Sequence, residues 1–259
     1  MQFLAGVGAA GRESVAGYFG GGNNLSNNLS GIDKITFPAD TKTTLSATLT
    51  SARRLLGGMA DSGVAGYFAG GFAGTQLSDI DKITFPADSK TTLSATLTSA
   101  RYGLSGMANS GVAGYFAGGI DSGGYISGID KITFPADTKT TLSATLTSAR
   151  YGPSGMANFG VAGYFGGGSD AGLFDNIDKI TFPADTKTTL SATLTTARNE
   201  MGGMADSGVA GYFGGGYDGS SAISGIDKIT FPADTKTTLS ATLTSARYGL
   251  IGMADCGVF

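Results

Sequence analysis

Ile129-Asp-Lys-Ile-Thr-Phe-Pro-Ala-Asp-Thr-Lys-Thr-Thr-Leu-Ser-Ala-Thr-Leu-Thr-Ser-Ala-Arg150 is one of five near-copies of a single cassette. The other copies begin at Ile32, Ile80, Ile177 and Ile226, so successive starts lie 48, 49, 48 and 49 residues apart. A period of this length suits a propeller blade of four strands. Each repeat must bury its apolar residues against the next, so the chain reads as one domain over residues 1–259.

Working outward from the cassette, four strand-like segments recur, and the third copy shows them in order. Segment A, Leu104 to Asn109, is short and made of small residues. The turn Ser110-Gly111 leads into segment B, Val112 to Ala117, which is apolar throughout as a strand covered on both faces should be. Gly118-Gly119 ends it. Segment C alternates Ile132 and Phe134 with Lys131 and Thr133. After the turn Pro135 to Thr138, segment D is expected over Thr141 to Thr147, with Leu142, Ala144 and Leu146 on one face and hydroxyls on the other. Small side chains place A at the crowded axis and D at the rim. The expected fold is therefore all-β: a five-bladed β-propeller of four-stranded antiparallel blades.

The two ends of the chain fall inside repeats. Tyr248 to Cys256 matches segment A, and Ser14 to Gly22 matches segment B. This predicts a ring closed by exchange of N- and C-terminal strands, with the last segment A completing the first blade; residues 3–11 are the competing source of that inner strand. The N-terminal stretch lacks a basic region and reads as strand, not as a signal peptide. No uninterrupted apolar run of about 18 residues occurs, so no membrane-inserted helix is expected.

Composition narrows function mainly by exclusion. The chain has no histidine, one cysteine (Cys256), 44 glycines and a formal charge of −3. Without histidine, Ser-His-Asp and Cys-His hydrolysis and His-ligated zinc or copper are excluded as usually built. Glutamate occurs only at Glu13 and Glu200, and the aspartates mostly repeat with the cassette, whereas a catalytic carboxylate pair needs two unlike environments. The glycine runs precede loops, not helix N-termini, and offer no phosphate cradle. The weak negative charge gives no basis for a nucleic-acid partner. No enzyme activity, cofactor or metal site is expected.

Differences between copies locate the freedom in the design. The turn Pro-Ala-Asp-(Thr/Ser)-Lys is nearly invariant, while the B to C loops share little beyond length. A second variable spot follows the cassette arginine: Arg54-Leu55, Tyr102-Gly103, Tyr151-Gly152, Asn199-Glu200 and Tyr248-Gly249. In an antiparallel blade both variable spots lie on one face. Tyr102, Tyr151 and Tyr248, with Phe72, Tyr125, Phe174 and Tyr217 from the loops, are the candidate ligand-binding residues, since Tyr beside small polar residues makes adaptable contact area. Arg53, Arg101, Arg150, Arg198 and Arg247 form a ring near that face. They could bind a ligand carboxylate or sugar, or satisfy the framework by pairing with aspartates such as Asp33 or Asp81. Asp61, Asn109, Asn158, Asp206 and Asp255 could line the axis or serve as turn formers.

Gly118-Gly119 after Gly-Tyr-Phe, with Arg101 upstream, resembles the kelch repeat; Gly70-Gly71 and Arg53 are equivalents. The usual Tyr and Trp after the double glycine are missing, and Phe85, Leu93 and Leu97 occupy that stretch. The fuller cassette is similar to repeats of marine phage virion and tail-fibre proteins. That resemblance implies a host-surface binding or structural role, an extracellular or virion-surface location, and no catalytic residue. Two functions follow as expectations. One is a recognition domain for a cell-surface glycan or protein receptor; the other is a structural module docking to virion or fibre proteins.

Overall fold

The computed structural model describes residues 16–37 and 39–252. It is all-β, with 21 strands and no helix among the described residues. The first blade has three described strands, β1 (Ala16–Gly20), β2 (Ile32–Thr36) and β3 (Thr41–Thr44). The second is β4 (Gly57–Asp61), β5 (Ala65–Ala69), β6 (Ile80–Thr84) and β7 (Ser89–Thr92). In the third, β8 (Ser105–Asn109), β9 (Ala113–Ala117), β12 (Ile129–Thr133) and β13 (Thr138–Thr141) are supplemented by a small loop hairpin, β10 (Ile120–Asp121) with β11 (Gly124–Tyr125). The fourth is β14 (Ser154–Asn158), β15 (Ala162–Gly166), β16 (Ile177–Thr181) and β17 (Thr186–Thr189). The fifth is β18 (Gly202–Asp206), β19 (Ala210–Gly214), β20 (Ile226–Thr230) and β21 (Thr235–Thr238). Strands follow one another in each four-stranded sheet, giving the five-bladed propeller that the repeat predicts.

Segment A takes the axis because nothing larger fits. The inner strands pack so closely that a Cβ on Gly106 would lie 2.4 Å from the Gly58 oxygen, and one on Gly203 would lie 2.4 Å from the Gly155 oxygen. The inner strands β4, β8 and β14 also send a methionine into the space left by a glycine on the next blade: Met59 at Gly114, Met107 at Gly163 and Met156 at Gly211. Around these contacts lie the cores between blades, where Tyr115, Phe116, Phe165 and Ile180 are fully buried.

Segment D differs from its expected position. The outer strand is the polar run before it, Thr138–Thr141 in the third blade, because the chain already reverses at Asp137, whose φ of 54° lies in the left-handed region. The leucines that follow cross the top of the blade instead: Leu142 N donates to Ile129 O, Leu146 N donates to Ser127 O, and Leu146 is buried. The same shift occurs in every copy.

Four blade junctions share one contact set. At the base, a segment B tyrosine and a segment C lysine meet the turn aspartate of the following blade: Tyr67 and Lys82 donate to Asp137 at 2.8 and 2.6 Å. Tyr18 and Lys34 with Asp88, Tyr115 and Lys131 with Asp185, and Tyr164 and Lys179 with Asp234 repeat it. The same tyrosines stack on the phenylalanine before that turn, with ring centroids 4.7 to 5.3 Å apart.

The fifth and first blades do not share this set. Tyr212, Lys228 and Asp40 make none of these bonds, and Phe19 is 56% exposed where Phe116 and Phe165 are fully buried. Ile251-Gly252 does lie on the fifth blade as a further inner strand would, with a Cβ on Gly252 2.7 Å from the Gly203 oxygen. Ile251 is nevertheless 85% exposed and has no hydrogen bond to β1. The remainder of the proposed closing strand, and residues 3–11, lie outside the described residues.

Candidate functional site

The A to B and C to D turns form one face of the disc, the turn face, and the B to C loops with the D to A connections form the other, the loop face. The cassette arginines sit just under the loop face, but four of the five are sealed inside. Arg53, Arg101, Arg150 and Arg198 are at most 1% exposed. Each pairs with a buried aspartate on the next segment C: Asp81, Asp130, Asp178 and Asp227. Arg101 also donates to the Phe116 carbonyl at 3.1 Å, and Arg53 to that of Gly70 at 3.2 Å. These guanidiniums are framework and are not available to a ligand, which corrects their place among the candidate binding residues. Arg247, whose counterpart aspartate would be Asp33, is exposed and forms no salt bridge among the described residues.

The electrostatics explain why the pairs tolerate burial. Burial alone would raise the Asp130 carboxyl. The hydrogen bonds from Thr98, the charge of Arg101 and the Thr141 hydroxyl outweigh it and hold that carboxyl below the ordinary range. Asp81, Asp178 and Asp227 are lowered in the same way. The hydroxyls of segment D thus serve the next blade's aspartate as well as solvent.

Above the arginines, the residues that follow them encircle the axis. Gly103 N donates to Leu55 O, Gly152 N to Gly103 O, Glu200 N to Gly152 O, and Gly249 N to Glu200 O. This register position has positive φ in every copy. Gly103, Gly152 and Gly249 accept it freely, whereas Leu55 at 56° and Glu200 at 53° do so under strain.

On this collar the two variable spots meet. Arg54 bridges to Phe72, Tyr102 to Ile120, Tyr151 to Ser169 and Asn199 to Tyr217, so each connection is fastened to the loop beside it. The side chains form a continuous row. The Arg54 guanidinium lies over the Phe72 ring at 5.5 Å, Phe72 meets Tyr102 edge-on at 5.5 Å, and Tyr102 meets Tyr151 edge-on at 6.1 Å. Tyr151 then donates to Glu200 at 2.8 Å. Burial, reinforced by Glu200, raises the Tyr151 hydroxyl above its ordinary value, so it stays protonated and donating. Beyond Glu200, Asn199 Nδ2 donates to Ser169 Oγ, and its buried Oδ1 has no hydrogen-bond partner among the described residues.

The other candidates surround this row without joining it. Tyr217 and Tyr248 pair at 5.4 Å, with Tyr248 57% exposed. Tyr125 stands out on the β10–β11 hairpin at 45% exposure, and Phe174 lies beneath its loop against Arg150 at 5.5 Å. Sequence reasoning therefore brings Phe72, Tyr102 and Tyr151 together, but omits Arg54, Asn199 and Glu200 from the candidates. The signal for them was their register with Tyr102, Tyr151 and the glycines.

The turn face is different in kind. Asp61 accepts from Gly111 N at 2.6 Å, Asn109 from Gly160 N at 2.9 Å and Asn158 from Gly208 N at 2.8 Å, so these residues tie each turn to its neighbour. Asp255 lies outside the described residues. Among the described residues no group of three or more His, Cys, Asp or Glu side chains could hold a metal. Around these ties Val64, Val112, Val161 and Val209 are 45 to 51% exposed, with Phe159 beside them at 55%. At the rim, Ser143–Thr147 and Ala184–Lys187 line an open polar groove of about 650 Å³, and the third blade's turn makes a similar one with the second.

No protein-family model matches this chain, and no curated protein matches it. Among solved structures it is similar to that of YjhT, with a TM-score of 0.72 at 13% identity, over 86% of this chain and 81% of that one. At this identity the likeness shows the fold, and the fold is a β-propeller.

Proposed function

We propose that this chain is a non-catalytic recognition domain, a kelch-like repeat propeller that binds a cell-surface carbohydrate through its loop face, as part of a phage fibre or adhesin. The observation that carries the reading is the row Arg54, Phe72, Tyr102, Tyr151 and Glu200, where residues that vary between repeats converge on one collar. Aromatic faces suit the C–H surface of a sugar ring, and the flanking Glu200 and loop aspartates suit its hydroxyls. The other loops around the disc supply further weak sites that gain strength together with the row. Screening the protein and its Tyr102→Ala/Tyr151→Ala/Tyr248→Ala variant on a glycan array tests this. Binding by the parent that is lost in the folded variant supports the reading; equal binding by both contradicts it.

The second reading is a structural module that docks to virion or fibre proteins through the turn face. The exposed ring of Val64, Val112, Val161 and Val209 favours it, because a repeated apolar ring fits a repeated partner. The invariance of the Pro-Ala-Asp turn does not, since Asp88, Asp137, Asp185 and Asp234 are already accounted for by the Tyr and Lys of the preceding blade.

A further inference from the structure

The row on the loop face is charged at its two ends and nowhere between. The residue after the cassette arginine is Tyr102, Tyr151, Asn199 or Tyr248 in four copies and Arg54 in the remaining one. The five B to C loops contain no Lys or Arg, so Arg54 is the one cation that the variable positions supply. It sits at a junction described on both sides: Arg53 and Asp81 pair beneath it, and Asn28 of the first blade's loop donates to the Phe72 carbonyl at 3.0 Å. Arg54 is exposed and forms no salt bridge among the described residues. Its guanidinium lies over the Phe72 ring at 5.5 Å, and its charge reaches the Tyr151 hydroxyl. A guanidinium held over a ring keeps its N–H fork free at the edge, the geometry that takes a carboxylate or sulfate through two bonds. At the other end, Glu200 accepts from Tyr151 through Oε1 at 2.8 Å, and its Oε2 accepts no hydrogen bond among the described residues. Asp121, Asp170 and Asp218 stand in the loops of the third, fourth and fifth blades, each accepting from the backbone of its own turn. Attraction for an anion is therefore confined to the Arg54 end of the row, and the Glu200 end repels one.

We propose that the row takes a sparsely charged acidic oligosaccharide, with one carboxylate or sulfate on the Arg54 fork, neutral sugar rings over Tyr102 and Tyr151, and hydroxyls donating to Glu200. This deepens the loop-face reading and rests on it. Three aromatic rings with centroid separations of 5.5 and 6.1 Å make the row longer than one sugar, so the ligand is a chain and not a free monosaccharide. A neutral glycan would leave Arg54 without a counter-charge. A glycan with an acid on every sugar would bring like charge against Glu200 and the loop aspartates, which costs affinity. What fits both ends is a chain whose acidic groups are separated by neutral residues. Because Arg54 occurs in one copy only, this charge-selective site is single, whatever the other loops contribute.

A glycan array tests this with four sets: neutral oligosaccharides, oligosaccharides with one uronate per repeat, oligosaccharides with one sulfate per repeat, and fully charged oligouronates. The parent chain should bind one of the two sparsely charged sets best, and which of them it binds separates carboxylate from sulfate. Arg54→Gln should weaken that binding about tenfold or more, and Arg54→Lys, which keeps the charge without the fork, should recover part of it, with circular dichroism reporting an intact fold. By surface plasmon resonance on the strongest array member, the parent's affinity should fall as sodium chloride is raised, while that of Arg54→Gln stays nearly flat. Glu200→Gln should improve binding of the fully charged oligouronate. A preference for neutral glycans, an Arg54→Gln variant that binds like the parent, or a Glu200→Gln variant that rejects the oligouronate as the parent does would overturn this proposal. The loop-face reading would still stand in those cases if the Tyr102→Ala/Tyr151→Ala/Tyr248→Ala variant loses binding. No binding to any set, or binding that this tyrosine variant retains, would overturn both.

Discussion

The loop face and the turn face come from the same five cassettes, yet one is written differently in each copy and the other is nearly uniform. The difference follows from what each must hold. On the turn face, Asp137 takes a left-handed φ, closes the C to D turn and binds Tyr67 and Lys82 of the preceding blade. A residue with three duties has few substitutes. On the loop face the equivalent duties are discharged one layer down by Arg101 and Asp130, so the residues above them are released from the framework. Uniformity on the turn face is thus a mark of blade-to-blade bonding, and diversity on the loop face is a mark of freedom that recognition can use.

The largest effect should come from breaking that lower layer. Asp130→Ala leaves the buried Arg101 guanidinium without its carboxylate and removes the acceptor that Thr98 and Thr141 share, so it should cost about 3–5 kcal/mol in urea denaturation. On the turn face, Asp137→Ala should cost less, about 1–3 kcal/mol, because Asp137 and Lys82 keep partial access to water even though Tyr67 is buried. Were the two costs reversed, the division of labour between the layers would be wrong.

The pH dependence sharpens the same contrast. Asp81, Asp130, Asp178 and Asp227 are held below their ordinary values, so their stabilisation is complete above about pH 4 and is lost as pH falls through the lowered native values. Tyr67, Tyr115 and Tyr164 are raised, first by burial and then by Asp137, Asp185 and Asp234. Their contribution is complete below about pH 10 and is lost as pH rises through the raised values. With no histidine in the chain, stability should be nearly flat from about pH 5 to 9. A steep slope within that range in thermal melts would contradict the assignment.

On the loop face, changes should move binding more than stability. Replacing Tyr102 and Tyr151 together by Ala should weaken glycan binding by about 2 kcal/mol or more per anchoring ring, read by titration calorimetry, while the melting temperature moves only a few degrees. The smallest effect concerns strain. Leu55→Gly places at φ 56° the residue that three other copies use, and should stabilise by no more than about 1 kcal/mol. Destabilisation would show that the half-exposed Leu55 side chain contributes packing there.

How much of this was legible in the sequence differs by level. The period and the apolar run of segment B mark the blades, and the two variable spots fall on one face because antiparallel strands alternate direction. The outer strand was not legible. Thr138 to Thr147 carries two overlapping strand-like runs, and the left-handed turn at Asp137 decides between them. Nor was the fate of the arginines, since a repeated arginine reads equally well as a ligand ring or as framework until Asp130 is seen buried beside Arg101. The aromatic row was half legible: Tyr102 and Tyr151 announce themselves, whereas Arg54 and Glu200 matter only because the collar brings them beside Phe72 and Tyr151.

The claim that recognition belongs to the loop face is tested most directly by blocking one face at a time. In a Cys256→Ser background, a single cysteine is placed at Ser122 in a B to C loop or at exposed Val161 on the turn face, and each is coupled to a bulky polyethylene glycol. Binding to an array-identified glycan is then measured by surface plasmon resonance. The account predicts loss of binding when Ser122→Cys is modified and full binding when Val161→Cys is modified. Binding retained with the loop face blocked, and lost with the turn face blocked, would contradict it.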